Sequence, residues 1–378
     1  MMTSMPLSFR LAWFYFAFFV YAGAYVAYFP PYLAARGLGP AEIAWVLALP
    51  HLARVFAPAA WGWVADRSGA HRGIVVFACA ANVACFALLP YADGLATIAW
   101  LIALTSLLSP AALPLVEGIT LGALASQPGR YGPIRLWGSI GFIAAVLGGG
   151  AWLDVRPVET LPMALVGACL LTLGAALLLP AQSRHAAPKS AGLTWTPAAV
   201  QLLGAGFCMA AAHGALYAFF TLQLQREGYS VSVIGLLWTL GVLAEIVVFF
   251  YLPDLFRRYA LSTLLLASFA CAVLRFLAIG WGAGLLWLML AAQLLHAATF
   301  GSFHAAAVAA VQRVFPEHAQ GRGQTLFSSL SYGAGGAAGA LLAGWTWAAA
   351  GPELAFSGSS LAAVAGFFLA LRLKRSGF

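Results

Sequence analysis

The sequence predicts an all-α membrane protein of twelve transmembrane helices arranged as two six-helix bundles. Three observations predict it. Of 378 residues, 63% are hydrophobic and only 8% are charged, with a mean hydropathy of +0.91. A soluble domain carries roughly 25% charged residues, so this chain cannot cover its surface with polar groups and must face lipid. Charges, prolines and glycines divide the rest into twelve apolar runs, and lysine and arginine favour alternate loops.

The runs are residues 11–33, 42–63, 73–90, 95–123, 133–153, 158–180, 196–222, 231–252, 261–280, 284–310, 324–348 and 354–373. Each approaches the ~20 residues an apolar span needs. The first is too long for a signal-peptide core and no small-residue cleavage site follows, so it reads as an uncleaved first helix. The longest connection, Ala181 to Trp195, follows the sixth run. This gives an N-terminal bundle over 1–180, a cytoplasmic linker over 181–195 and a C-terminal bundle over 196–378. With a cytoplasmic N-terminus, the inner side holds Arg10, Arg67, Arg72, Arg130, Arg135, Arg184, Lys189, Arg257, Arg258, Arg313, Arg322, Arg372, Lys374 and Arg375. The outer side holds only Arg36, Arg156 and Arg226, which places both termini inside.

Several functions are excluded on composition and motif. The formal charge of +8 does not indicate nucleic acid, because the basic residues are scattered singly or in pairs between apolar runs. Cys79, Cys85, Cys169, Cys208 and Cys271 lie inside apolar runs without CxxC spacing and read as small apolar fillers. No P-loop, HExxH, GxSxG or dinucleotide signature is present. An enzyme, a cofactor and a metal centre are not expected, and an ion gradient is the expected energy source.

Two blocks repeat. At a shift of 191, Tyr28 to Arg54 lies on Phe219 to Glu245, with Gly37 on Gly228, Ile43 on Ile234 and Arg54 on Glu245. At a shift of 192, Gly129 to Gly141 lies on Gly321 to Gly333. Parallel six-helix repeats are a mark of transporters built from two similar bundles. The small-residue stretches Gly148 to Gly150 and Ser331 to Gly344 read as surfaces for close helix approach.

A charge at the bilayer centre costs at least ~2.5–3.5 kcal/mol, so such residues are functional candidates by default. They are Arg54, Glu117, Arg135, Glu245 and Arg275, joined by His51, His213, His296 and His304. Glu117 comes late in the fourth run and Arg135 early in the fifth, so the two can meet across adjacent helices. They either bind substrate or only neutralise each other. His296, Phe300 and His304 share one helix face. Desolvation disfavours a carboxylate and a nearby guanidinium favours it, so a buried carboxyl whose cation approaches and withdraws can load and release a proton. By helical rise Glu245 and Arg275 lie at different depths, and His296 is placed to bridge them.

After the second run, "GWVADRSGAHR" resembles the G-x-x-x-D-R-x-G-R-[KR] signature of the major facilitator superfamily. Gly62, Asp66, Arg67 and Gly69 match; Ala70 and His71 replace basic positions. The resemblance implies a conformational latch at Gly62, Asp66, Arg67 and Gly69. Four further stretches, "YFPPYLAARGLGPAEIAWVLAL", "ALPLVEGITLGAL", "RYGPIRLWGSIGF" and "LLHAATFGSFHA", resemble the phenylpropionate permease branch, a neighbour of lactose permease and the nucleoside–proton symporters. Likeness to lactose permease implies substrate binding by Glu117 and Arg135, and proton coupling by Glu245, Arg275 and His296, with His304 on the same face. The chain departs from that relative at its helix-seven carboxylates, which are absent. It also carries Thr299 after the helix-ten histidine, and Phe142 in place of a stacking tryptophan. Sugar recognition is therefore weakened. The additional cation Arg54, with His51 one turn before it, points instead to a carboxylate, bound by Arg54 or by Arg135. The expectation is a proton-coupled importer of a small organic acid of the 3-phenylpropionate type, monomeric, in a bacterial inner membrane. The alternative is a sugar or nucleoside symporter; a non-transporting receptor is the remaining class.

Overall fold

The computed structural model describes residues 5–109, 112–180 and 195–375. Among them there are no strands, and eleven helices are long and apolar enough to cross a bilayer. In order the spans are α1 Leu7–Ala35, α2 (a bent pair, Pro40–Arg54 and Ala57–Ser68), α3 His71–Tyr91, α4 Gly94–Ala123 (described on either side of residues 110–111), α5 Tyr131–Val155, α6 Val158–Leu177, α7 Pro197–Arg226, α8 Val231–Arg258, α9 Leu261–Gly282, α10 Leu286–Val314, α11 Glu317–Ala350 and α12 Pro352–Arg375. With the bent pair as one span the number is twelve. Residues 181–194 of the expected linker lie outside the described residues.

The break in α2 has a local cause. Pro50 lies inside the first segment, Pro58 opens the second, and the axis turns by 40° between them. Each proline removes a backbone donor and crowds the preceding turn, so the helix cannot run straight through both. Hydropathy alone reads 42–63 as continuous. α10 and α11 each hold a π-helical turn, Ala297–Ser302 and Ser329–Gly335. Such turns re-aim side chains and are frequent at functional sites.

The chain divides into two compact units: Met1–Leu38 with Phe56–Pro188, and Gly39–Val55 with Lys189–Phe378. In the first, Leu11, Phe14, Tyr15, Val75, Val116 and Ile119 form a buried core. α1 and α5 approach through glycine: a Cβ on Gly23 would lie 2.9 Å from the Phe142 carbonyl, and one on Gly141 would overlap the Phe16 carbonyl. In the second unit the equivalent crossing of α7 and α11 uses the same device. A Cβ on Gly335 would lie 2.5 Å from the Phe207 carbonyl, and one on Gly339 would overlap that of Ala211. Gly39–Val55 packs on α11 in that unit, where a Cβ on Gly333 would meet Val55 Cγ2 at 2.8 Å.

The turns after α1 and α7 have the same geometry. Gly37 and Gly228, paired by the 191-residue shift, take φ of 82° and 84°. The next amide closes a six-residue bond in each, Leu38 N to Leu33 O and Tyr229 N to Leu224 O, at 3.2 and 3.1 Å. This is the Schellman ending, in which a left-handed residue satisfies the last helical carbonyls.

Candidate functional site

The second unit gathers its polar side chains around α8 and α10. Glu245 Oε2 lies 3.8 Å from His296 Nε2, with both side chains largely buried. Gly301, in the π turn, makes the slot for the glutamate stem: a Cβ there would lie 3.0 Å from Glu245 Cγ. Gly241 does the same beneath His296, with 3.3 Å to its Cδ2. The rings of His296, Phe300 and His304 stack along α10, with centroids 5.3 and 6.3 Å apart and planes within 13° and 11°. His213 stands 6.5 Å from His296, ring to ring, and its Nδ1 bonds the Met209 carbonyl at 2.9 Å. His296 Nδ1 and His213 Nε2 are buried without a hydrogen-bond partner.

Arg275 is fully buried, and its guanidinium is spread over neutral acceptors of α10. Nε donates to the Ala292 carbonyl at 3.0 Å, Nη1 to Thr299 Oγ1 at 3.0 Å and Nη2 to Gln293 Oε1 at 3.1 Å. Those contacts hold α9 against the π turn that presents Gly301 to Glu245. His296, rather than Arg275, is the group whose ring nitrogen stands within ion-pair distance of the carboxylate.

Arg54 and His51, at the end of the first segment of α2, belong to the same unit. His51 Nδ1 lies 2.9 Å from the Tyr332 carbonyl, which accepts only if that nitrogen carries the proton. The Tyr332 hydroxyl lies 2.6 Å from His304 Nδ1. Arg54 is exposed on the protein surface, lies within electrostatic reach of Tyr332 and Tyr217, and has no ion-pair partner among the described residues. Tyr217 stacks on Trp238 with centroids 6.4 Å apart and lies within electrostatic reach of Glu245, Arg275 and Arg54. Sequence reasoning missed Tyr217, Gln293 and Tyr332. Tyr332 sits in a glycine-rich stretch that reads as packing; the π turn that aims it leaves no mark in the sequence.

In the first unit, Glu117 Oε1 and Arg135 Nε are 3.8 Å apart and both partly exposed. The Arg135 guanidinium lies over the rings of Phe19 and Tyr15, at 4.5 and 5.3 Å, a cation–π seat that fixes its direction. Phe142 is half-buried two turns further along α5, where its carbonyl packs beneath Gly23. At the α2–α3 turn, Gly69 takes φ of 69° and its amide closes the helix on the Ala65 carbonyl at 2.8 Å. Asp66 Oδ1 meets His71 Nε2 at 3.4 Å, Arg67 covers the Trp63 ring at 4.7 Å, and Gly62 has open space around it. The histidine that departs from the signature thus occupies the position beside the aspartate.

Comparison with known proteins agrees with this architecture. Residues 8–357 match the model of the MFS_1 like family. The chain is 30% identical over 316 residues to the probable 3-phenylpropionic acid transporter of Escherichia coli (strain K12), covering 78% of this chain and 79% of the relative. It is 26% identical over 329 residues to the maltose permease of Geobacillus stearothermophilus, covering 85% and 83%. A crystal structure of the nucleoside transporter NupG superposes with a TM-score of 0.79, covering 98% of this chain and 99% of that one, at 18% identity. The chain is therefore a transporter of the major facilitator superfamily, a member of its MFS_1 like family, and not an enzyme.

Proposed function

We propose that this transporter imports a small organic acid, an aromatic carboxylate of the 3-phenylpropionate type, together with protons, by alternating access. The observation that carries the substrate reading is Arg54, an exposed cation without an ion-pair partner among the described residues, within electrostatic reach of Tyr217 and Tyr332. A guanidinium offers a carboxylate a bidentate, charge-assisted contact. The aromatic side chains of the same unit, Tyr217 stacked on Trp238 and Tyr332 beside His304, supply apolar area of the kind a phenyl ring packs against. The name of the Escherichia coli relative supports the same class.

Glu245 and His296 are the proposed proton carriers, with Arg275 positioning α10 and His304 continuing the ring column through Tyr332. Desolvation penalises a lone carboxylate, and the His296 imidazole at 3.8 Å relieves it only in the state in which the ring carries the extra proton. Glu117 and Arg135 in the first unit, with Phe142 on the same helix, are a second candidate binding group, and Asp66 with Arg67 and His71 a candidate latch. On this reading no cofactor is needed and the proton gradient supplies the energy. The protein works as a monomer in a bacterial inner membrane with both termini cytoplasmic. Likeness to a maltose permease makes sugar symport the second reading.

The test is uptake into proteoliposomes under an imposed proton gradient, with 3-phenylpropionate, maltose and uridine in parallel. The proposal expects gradient-driven accumulation of the acid and alkalinisation of the outer medium. Uptake of maltose or uridine without the acid would overturn the substrate, and acid uptake without proton movement would overturn the coupling.

A further inference from the structure

We propose that the second unit carries a separate binding site for a small organic cation bearing an ammonium group. A cavity of about 450 Å³ opens where α7, α9 and α11 end and α12 begins, lined in part by Gln223, Glu227, Trp281, Ala350 and Glu353. None of these residues belongs to the Glu245 or Arg54 groups, so the inference stands apart from the transport reading.

Four features select for positive charge. The C-terminal ends of α7, α9 and α11 converge there and turn the negative ends of their helix dipoles toward the cavity, offset in part by the N-terminus of α12, which carries Glu353 in its first turn. Both carboxylates are seated against glycine: a Cβ on Gly284 would lie 3.1 Å from Glu227 Oε2, and one on Gly351 would lie 3.1 Å from Glu353 Oε2. Gln223 is 1% exposed, and its Oε1 is a buried acceptor with no hydrogen-bond partner. A donor reaching the cavity floor would satisfy it. Trp281 stands at the rim, 66% exposed, with its indole N–H donating to Ser357 Oγ at 3.0 Å. That bond holds the ring and leaves its face for a cation.

The size and donor set favour an organic cation over a bare metal ion. Calcium needs about six to eight oxygen ligands, more than two carboxylates and one carboxamide supply. Among the described residues no group of three or more His, Cys, Asp and Glu could hold a metal. The cleft is open on one side, and its volume of about 450 Å³ leaves room for a small organic ion.

The test titrates the purified full-length protein with 1,4-diaminobutane dihydrochloride at constant ionic strength, with calcium chloride and sodium chloride as parallel arms. Binding is read by calorimetry and by thermal stabilisation. Saturable diamine binding is expected, weakened at least about tenfold when Glu227→Gln and Glu353→Gln are combined, since each removes a charge-assisted contact. Trp281→Leu is expected to weaken it as well. A diamine response equal to that of sodium chloride, or unchanged affinity in the double variant, would overturn the site. Calcium binding tighter than the diamine would overturn its assignment to an organic cation. If the double variant does not fold, the exposed Glu227→Gln change decides alone: unchanged affinity overturns the site.

Discussion

Arg275→Met tests how the buried cation of α9 is held. The change removes three donors, to Ala292 O, Thr299 Oγ1 and Gln293 Oε1. Thr299 keeps a partner, because its hydroxyl also donates to the His296 carbonyl at 3.3 Å. Gln293 does not: its Nε2 is already buried without a partner, so the whole carboxamide becomes orphaned. One buried polar group left unsatisfied costs about 1–3 kcal/mol. Breaking a buried ion pair would cost more, about 3–5 kcal/mol. The smaller figure applies here because the acceptors are neutral. A cooperative unit of this size loses roughly 2–4 °C in Tm per kcal/mol. The assay is thermal unfolding of the purified protein for Arg275→Met, Gln293→Leu and the combination. The double variant should recover most of the loss, because it removes the orphan together with its cause. A double variant no more stable than Arg275→Met would refute the reasoning, as would a single variant as stable as the parent.

Three further outcomes follow from the geometry. Gly37→Ala and Gly228→Ala should each destabilise by a similar amount, about 1–2 kcal/mol, because both sites are left-handed and open, so only backbone strain is added; unequal losses in denaturant midpoint would break the repeat argument. Gly301→Val should overpack the Glu245 stem at a cost of about 1–3 kcal/mol and abolish proton-driven accumulation, whereas Gly301→Ala should be milder, as measured by uptake. Arg54→Gln should raise KM for the acid by about 10–100-fold, the equivalent of one charge-assisted hydrogen bond, with Arg54→Lys intermediate; an unchanged KM would remove Arg54 from the binding group.

Much of the fold was legible in the sequence because lipid imposes length and apolarity on every span. The repeat was legible at Gly37 and Gly228, since only a special backbone angle demands glycine in those turns. The break in α2 was not, because Pro50 and Pro58 lie in an apolar run and hydropathy does not register a missing donor. The charged candidates stood out by their rarity in the membrane. Their partners did not. Arg275 is held by Gln293, Thr299 and a carbonyl, which carry no charge signal in sequence. Tyr217 and Tyr332 are ordinary aromatics until two π turns and the α2–α11 packing bring them beside Arg54, His51 and His304.

The central claim is that Glu245, paired with His296, carries the proton that drives accumulation. Glu245→Gln keeps the shape of the side chain and removes its charge, so it separates proton work from substrate binding. The decisive measurement compares two assays on that variant in proteoliposomes: exchange of labelled acid at equilibrium, and accumulation against a gradient driven by protons. Retained exchange with lost accumulation is the predicted result. Accumulation equal to that of the parent protein would contradict the account.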